Sequence, residues 1–385
     1  MKRFVPAFVL GAVLLLLGSA KCFACTGIAL TATDGSRVVA RTVEWAASPM
    51  QCGYVVVPRG YQQQSLTPEG QDGLSFTSKY GYVGIWTEYE AIVVEGMNEK
   101  GLSAGLFFFP NYGKYPDFDS LKKSSTLSDM QLVSWVLSQF STIDEVKAAI
   151  SEVRVAGLDS RIGTVHWRIS EPGGRVVVLE FTDGEPHFYE NPLGVLTNSP
   201  GFEWQMLNLN NYVNLVPGSV GANRLADGVV LNQFGGNSAM LGLPGDFTPP
   251  SRFVRAAFFQ TSAPVWPTGF ETVCQAFHIL NNFDVPVGVQ RGRNNVSADG
   301  QQDYNPANLQ SATQFTSASD LAALRFYYRT AWNSDIRCID LKAIDFGKVK
   351  FQQAPLDASR QQPVEMVAVK YSCRLPRRGE LALRQ

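Results

Sequence analysis

An almost purely apolar run, FVPAFVLGAVLLLLGSA from Phe4 to Ala20, ends just short of Cys25 in the stretch FACTGIALTA. That run constrains the chain more than any other feature, because it decides where the folded protein begins. Lys2 and Arg3 precede it, and KCFA follows, with Cys22 at −3 and Ala24 at −1 of a cut before Cys25. A charged start, an apolar middle and small residues at the cut form the pattern of a secretory leader. Residues 1–24 are therefore expected to be removed, with the product in the periplasm or outside the cell and Cys25 as its first residue. An uncleaved anchor is the competing reading. The run is at the short end of the ~20 residues that span a bilayer, and no basic flank follows it. Lipidation of Cys25 is a third reading, and bulky Phe23 fits a lipobox poorly.

Residues 25–385 are long enough for one large domain or two small ones. A hydrophobic content of 45% with 17% charged residues is the balance of a soluble globular chain. The formal net charge is −1, and loss of Lys2, Arg3 and Lys21 takes it to about −4. That argues against nucleic acid as a partner, which calls for a basic surface. No second long apolar segment follows, so no membrane span is expected after cleavage. The cysteines are Cys22, Cys25, Cys52, Cys274, Cys338 and Cys373, and the histidines only His166, His187 and His278. The five cysteines that survive the cut, which removes Cys22 of C-F-A-C, show no C-x-x-C pair, so neither a metal nor another cofactor is expected. Cleavage leaves an odd number of cysteines, which points to a free thiol with a function. Cys52, Cys274 and Cys338 stand in apolar company and read as inert core residues.

The mature start reads as a β-hairpin, TGIALTA and RVVARTVEW joined by Asp34-Gly35-Ser36. Further strands are expected at YVVVP, GYVGIWTEY, AIVVEGM and LSAGLFFF. The period then changes, with Met130, Leu132, Val133, Val136 and Leu137 at helical spacing. Ser128 with Gln131, and Thr142 with Glu145, make two capping boxes for tandem helices. Strands return at GTVHWRIS, RVVVLEF and PHFYE, and residues 204–249 read as long loops. Helices are expected at SRFVRAAFFQ and FETVCQAFHIL, then a strand pair at ATQFTSASD and LAALRFYYRT. Sheet, helices, sheet, helices, sheet without βαβ alternation means an α+β fold with layered antiparallel sheets.

A chain that begins with cysteine carries a thiol and a free α-amine on one residue. The amine has a pKa near ~7.7, suited to a general base at neutral pH. Cys25 can then be nucleophile and base together, without histidine. Before cleavage its nitrogen is a non-basic amide. Arg41 and Glu44, in RTVEW, lie on the second hairpin strand, where Arg41 comes near Cys25 and favours its thiolate. A routine ion pair is the plainer account of the same two residues.

Five motifs in order, C-T-G, R-T-V-E-W, M-N-E-K-G-L, L-T-N-S-P and P-S-R-F-V-R, resemble the choloylglycine hydrolase family from Cys25 to roughly Asp345. That family holds bile salt hydrolases and penicillin V acylases, which are N-terminal-nucleophile amidohydrolases. The resemblance is greatest to exported bile salt hydrolases of Gram-negative gut bacteria. It implies an αββα four-layer sandwich, a single domain over 25–373, and a polar tail at 374–385. It also implies catalytic roles for Cys25, Arg41, Glu44, Asn198 and Arg252. Glu44 replaces the usual aspartate beside the α-amine and is one methylene longer. Asn198 corresponds to an oxyanion-binding asparagine, whereas by local preference it is a turn residue before Ser-Pro. Arg252 stands at a helix start, where the dipole disfavours a cation and a specific partner is needed. Where many relatives carry G-L-N-F-P, this chain has Phe107 after Leu106, so one side-chain donor is lost. Leu106, Phe107, Phe108 and Tyr112 are the candidate substrate wall, although strand alternation turns only about half of such a run to one side.

The implied reaction is cleavage of glycine- or taurine-conjugated bile salts through a thioester on Cys25. A penicillin V or N-acyl homoserine lactone acylase is the alternative, and a non-enzymatic binding protein on the same scaffold is a third. The resemblance also implies a homo-oligomer, often a homotetramer in relatives, with the Asn-rich stretch 207–237 as candidate assembly loop.

Overall fold

The chain's opening residues fold back at once. Strands β1 (Cys25–Thr31) and β2 (Arg37–Trp45) pair antiparallel, with Cys25 opposite Val43 and Gly27 opposite Arg41. The turn is the expected one: Gly35 takes a left-handed φ of 88°, and Asp34 accepts the Ser36 N–H at 2.9 Å. The structure is a computed structural model that describes residues 25–45, 50–159, 163–235, 239–291 and 310–369. The expected leader 1–24, the tail 374–385, Cys22 and Cys373 lie outside the described residues.

The two large sheets continue with β3 (Cys52–Val57), β4 (Tyr82–Thr87), β5 (Tyr89–Asn98), β6 (Ser103–Phe108), β7 (Val165–Ser170), β8 (Val176–Thr182) and β9 (Glu185–Glu190), then β10 (Gln310–Asp320). β11 (Arg325–Thr330), β12 (Asn333–Asp340) and β13 (Gln352–Pro355) complete the two large sheets. The first sheet runs β1-β2-β10-β11-β12, with the short segment Gln290–Arg291 also paired to β10. The second runs β9-β8-β7-β6-β5-β4-β3-β13. β10 arrives from far along the sequence to pair with β2 from Asp320–Val38 to Ala312–Trp45.

The helices are α1 (Leu132–Gln139), α2 (Ile143–Ala149), α3 (Phe202–Asn208), α4 (Pro249–Ser262) and α5 (Gly269–Leu280). Phe253, Ala256, Val273, Ala276 and Phe277 of α4 and α5 bury against Ile28, Val38 and Ala40 of the first sheet. Val133, Val136 and Leu137 of α1 join the other core cluster with Val94, Met97 and Trp167 of the second sheet. The layers are helix, sheet, sheet, helix, the αββα sandwich of N-terminal-nucleophile hydrolases.

Four local expectations need correction. Ser128 caps a short 3₁₀ turn, Asp129–Gln131, rather than α1; the Gln131 side chain is taken by the Leu66 N–H at 2.6 Å and cannot close a box. Thr142 does accept the Glu145 N–H, but the Glu145 carboxylate returns to Ser141 N–H instead of Thr142. The region 204–249 is not all loop: α3 opens it, and Asn223–Ala226 pairs with Val229–Leu231 as an exposed hairpin. Cys338 is exposed on β12 and Cys274 only partly buried on α5, so neither is a core thiol.

Candidate active site

Cys25 lies 5% exposed at the head of β1. Its backbone N–H donates to Asn198 Oδ1 at 3.0 Å. Its carbonyl and the Thr26 hydroxyl both accept from Arg252 Nη1, the latter at 2.9 Å. Arg252 also donates through Nη2 to Asn198 Oδ1 at 2.6 Å and through Nε to the Phe247 carbonyl at 2.9 Å. These acceptors explain a buried cation in the first turn of α4, where the helix dipole opposes it. Asn198 Nδ2 donates to the Phe108 carbonyl at 2.7 Å. One carboxamide thus ties the nitrogen of Cys25, the guanidinium of Arg252 and the end of β6 together.

Arg41 reaches from β2 across to the second sheet. Its Nη1 donates to the Val94 carbonyl at 3.3 Å and the Leu106 carbonyl at 2.5 Å, and its guanidinium lies 3.8 Å over the Phe107 ring. Beside it, Glu95 pairs with Arg41 at 3.5 Å and with Arg168 at 2.7 Å, all three side chains at most 2% exposed. Glu95 exists there only because residue 105 is glycine: a Cβ at Gly105 would lie 2.0 Å from Glu95 Oε2. Two guanidiniums against one carboxylate leave a net positive charge behind the thiol. Burial pushes the Cys25 thiol up; Arg41 opposes this, Glu44 adds to it, and Arg252 and the Glu44 backbone N–H lower it.

Glu44 is 1% exposed. Thr313 of β10 donates to its Oε1 at 3.0 Å. Its Oε2 is buried without a hydrogen bond of good geometry among the described residues. Burial pushes the carboxyl up to about 7, against the downward pull of Arg252, the Thr42 and Thr313 hydroxyls, and Arg41. An unfilled buried acceptor is rare in folded proteins and calls for a reason.

Cys25, Arg41 and Glu44 line one cleft of about 640 Å³, counting its open mouth. Trp45, Ile92, Val94 and Met130 supply apolar walls, and Leu106 and Phe108 join them as expected. Phe107 does not. Successive side chains on a strand point to opposite faces, and its ring is fully buried under Arg41 and against Gly27, where a Cβ would come within 2.9 Å. Tyr112 is 54% exposed and stacks on Phe109, so it too stands outside the cleft lining.

Sequence reading missed the buried supports. His166 on β7 faces Glu180 Oε1 through Nδ1 at 2.9 Å and the Thr197 carbonyl through Nε2 at 3.2 Å, and it stacks on Phe109 at 4.5 Å. Glu180 also accepts the Phe202 N–H at 2.9 Å, so the pair brackets the segment that carries Asn198. The trace in the sequence is polar alternation in VHWRIS, where His166, Arg168 and Ser170 share one face of an otherwise apolar strand. Among the described residues no group of three or more His, Cys, Asp or Glu could hold a metal ion, and no helix is long and apolar enough to cross a membrane.

The model of linear amide C–N hydrolases of the choloylglycine hydrolase family matches residues 25–354. The chain is 32% identical over 323 residues to a bile salt hydrolase/transferase of Clostridium perfringens, spanning 82% of this chain and 92% of that protein. It is 28% identical over 383 residues to a penicillin V acylase of Pectobacterium atrosepticum, spanning 92% of this chain and 90% of the relative. A crystal structure of a mutant conjugated bile acid hydrolase from Clostridium perfringens superposes with a TM-score of 0.73 at 29% identity, over 89% of this chain and 100% of that one. With a match that starts on Cys25 and runs into β13, the chain belongs to the choloylglycine hydrolase family and is a hydrolase of linear amide C–N bonds.

Proposed function

We propose that this protein, exported and trimmed so that Cys25 becomes its first residue, cleaves the amide bond of glycine- or taurine-conjugated bile salts. The observation that carries this reading is that Cys25 and Glu44 line one apolar-walled cleft, with the Cys25 nitrogen held by Asn198 and one Glu44 oxygen left buried without a partner among the described residues. Trimming turns the amide nitrogen into an amine with hydrogens to spare; Asn198 Oδ1 holds one, and Glu44 Oε2 takes another. The amine accepts the thiol proton, and the thiolate adds to the amide carbonyl. Asn198 Nδ2, with one hydrogen on Phe108, has its second for the developing oxyanion. The tetrahedral centre collapses as the ammonium protonates the leaving glycine or taurine nitrogen. Water then attacks the thioester and releases the bile acid, restoring the thiol. Arg41 and Arg252 stabilise the thiolate throughout.

Export is supported by the leader pattern and by the family match that begins on Cys25. Intact-mass analysis of material secreted by the native host tests it: a mature chain starting anywhere but Cys25 removes the base. Penicillin V is the second reading, favoured by the relative that aligns over 92% of this chain. Purified enzyme offered glycocholate, taurocholate and penicillin V separates the two, and preference for penicillin V overturns the bile salt assignment.

The working unit is a homo-oligomer, a homotetramer in the simplest form. The hairpin Asn223–Leu231 exposes Leu225, Val229, Val230 and Leu231, with Phe234 beyond it fully exposed. A contiguous exposed apolar element of this kind marks an association surface.

A further inference from the structure

His166 is fully buried on β7 and stands outside the lining of the cleft that holds Cys25. Phe109 stacks flat on its ring at 4.5 Å, with 4° between the planes, and Phe107 meets it edge-on. Both ring nitrogens are engaged: Nδ1 faces Glu180 Oε1 at 2.9 Å, and Nε2 faces the Thr197 carbonyl at 3.2 Å. Each of these partners is an acceptor. A neutral imidazole has one N–H and one lone pair, whereas an imidazolium has two N–H groups. A neutral ring would turn its lone pair on one of the two oxygens, so only the imidazolium makes both hydrogen bonds. The Glu180 carboxylate, 2% exposed, balances the charge, and the aromatic face of Phe109 favours it. Arg168, two residues on along the same face of β7, is turned to Glu95 at 2.7 Å.

The Thr197 carbonyl belongs to the peptide unit that carries the Asn198 nitrogen. That unit is planar, so holding its oxygen sets the direction in which the Asn198 side chain leaves the backbone. On the other side of Asn198, Glu180 accepts the Phe202 N–H at 2.9 Å. The carboxamide between these two anchors has several tasks at once. Its Oδ1 accepts the Cys25 N–H at 3.0 Å, and its Nδ2 donates to the Phe108 carbonyl at 2.7 Å. A donor serves an oxyanion only when it is aimed in advance at the place where the charge develops.

We propose that His166 is a positioning residue: as an imidazolium paired with Glu180, it fixes the Thr197–Asn198 peptide and so aims the Asn198 carboxamide at the oxyanion. With both nitrogens engaged, it neither touches substrate nor takes the thiol proton. This rests on the reading of Asn198 as an oxyanion donor, and it holds for any amide the enzyme cleaves.

The test compares His166→Gln with His166→Asn, because a glutamine nitrogen takes the place of Nε2 and an asparagine nitrogen that of Nδ1. The substrate is whichever of glycocholate, taurocholate and penicillin V the wild type turns over fastest. His166→Gln keeps a donor for Thr197 and is expected to hold kcat within about threefold of wild type. His166→Asn keeps a donor for Glu180 but releases the Thr197 carbonyl. It is expected to lower kcat by about tenfold or more, part of the 10²–10³ that an oxyanion donor carries. KM moves by less than about twofold in both, since His166 stands outside the cleft lining. A merely structural role would instead rank the two variants by their melting temperatures. Should His166→Asn fail to fold, Glu180→Gln replaces it with the same expected loss: it still accepts the Phe202 N–H but removes the charge that holds the second ring hydrogen. Nitrogen NMR of protein carrying 15N-labelled histidine reads the ring directly. The signals that vanish in His166→Gln are expected to show hydrogen on both ring nitrogens at about pH 7, apart from those of His187 and His278, which are exposed. A single ring N–H on His166, or wild-type kcat in His166→Asn, rejects this proposal alone. Wild-type kcat in Asn198→Ala rejects Asn198 as the oxyanion donor and this proposal with it.

Discussion

The carboxamide oxygen of Asn198 stands 3.0 Å from the backbone nitrogen of Cys25, although 173 positions separate the two in sequence. The same oxygen receives Arg252, and the amide nitrogen is fixed on Phe108. Asn198→Ala removes the tether and the oxyanion donor together. It is expected to lower kcat by about 10²–10³, while the melting temperature shows only the loss of a few hydrogen bonds. Steady-state kinetics with a conjugated bile salt, beside a thermal melt, check this.

Cys25→Ser should fold as wild type and lose activity by on the order of 10³-fold or more, the scale on which a nucleophile is lost. A hydroxyl is too weakly ionised for an α-amine to activate. Full activity in this variant refutes the thiol mechanism.

The Glu44 carboxyl makes stability depend on pH in a direction opposite to most acids. Its folded pKa of about 7 lies above the ordinary value of 4.5. The folded state therefore holds a proton that the unfolded state has released, and stability falls as pH rises from about 4.5 to about 7. In the chain that still carries residues before Cys25, the loss amounts to about 3 kcal/mol. In the trimmed protein the ammonium of Cys25 fills Oε2 and the loss shrinks. Thermal melts from pH 5 to 8 on both forms, with Glu44→Gln abolishing the slope of the untrimmed one, measure it. The trimmed Glu44→Gln protein is expected to turn over more slowly than wild type.

Glu95 holds two buried arginines apart. Glu95→Gln leaves both guanidiniums uncompensated and should destabilise the fold by about 3–5 kcal/mol. Urea unfolding reads this directly. Gly105→Ala should reproduce part of the effect, since its Cβ displaces the same carboxylate.

The exposed hairpin yields a test of assembly. Leu225→Asp with Val230→Asp should shift sedimentation from oligomer to monomer and leave the helix and sheet content unchanged. Both side chains are exposed in the single chain, 62% and 49%, so charge there costs the monomer little.

Local pattern was enough for the hairpin of Cys25 and Arg41, for helix α5, and for the α+β layering. Each rests on neighbours in sequence: a turn residue or a period. The Thr268–Glu271 box that caps α5 was not read. Cys25 could be singled out for a similar reason, because the apolar run expected to be a leader ends just before its thiol. The face that Phe107 takes was not legible, since an aromatic run such as LFFFP does not state which side of the strand meets a cleft. Nor were the partners of Arg41. Glu95, Arg168 and Gly105 become one cluster only when β5, β6 and β7 lie side by side beneath β2.

What the sequence determined by itself was the chemistry on offer: one thiol where a leader is expected to end, four motif-borne polar partners and few histidines to serve as another base. What the tertiary structure decided was proximity and desolvation. Sheet pairing and helix packing carried Asn198 and Arg252 to Cys25, and burial lifted Glu44. The physical reason is that hydrogen bonds and charge shifts depend on distance and dielectric, which the chain acquires only once both sheets have closed over it.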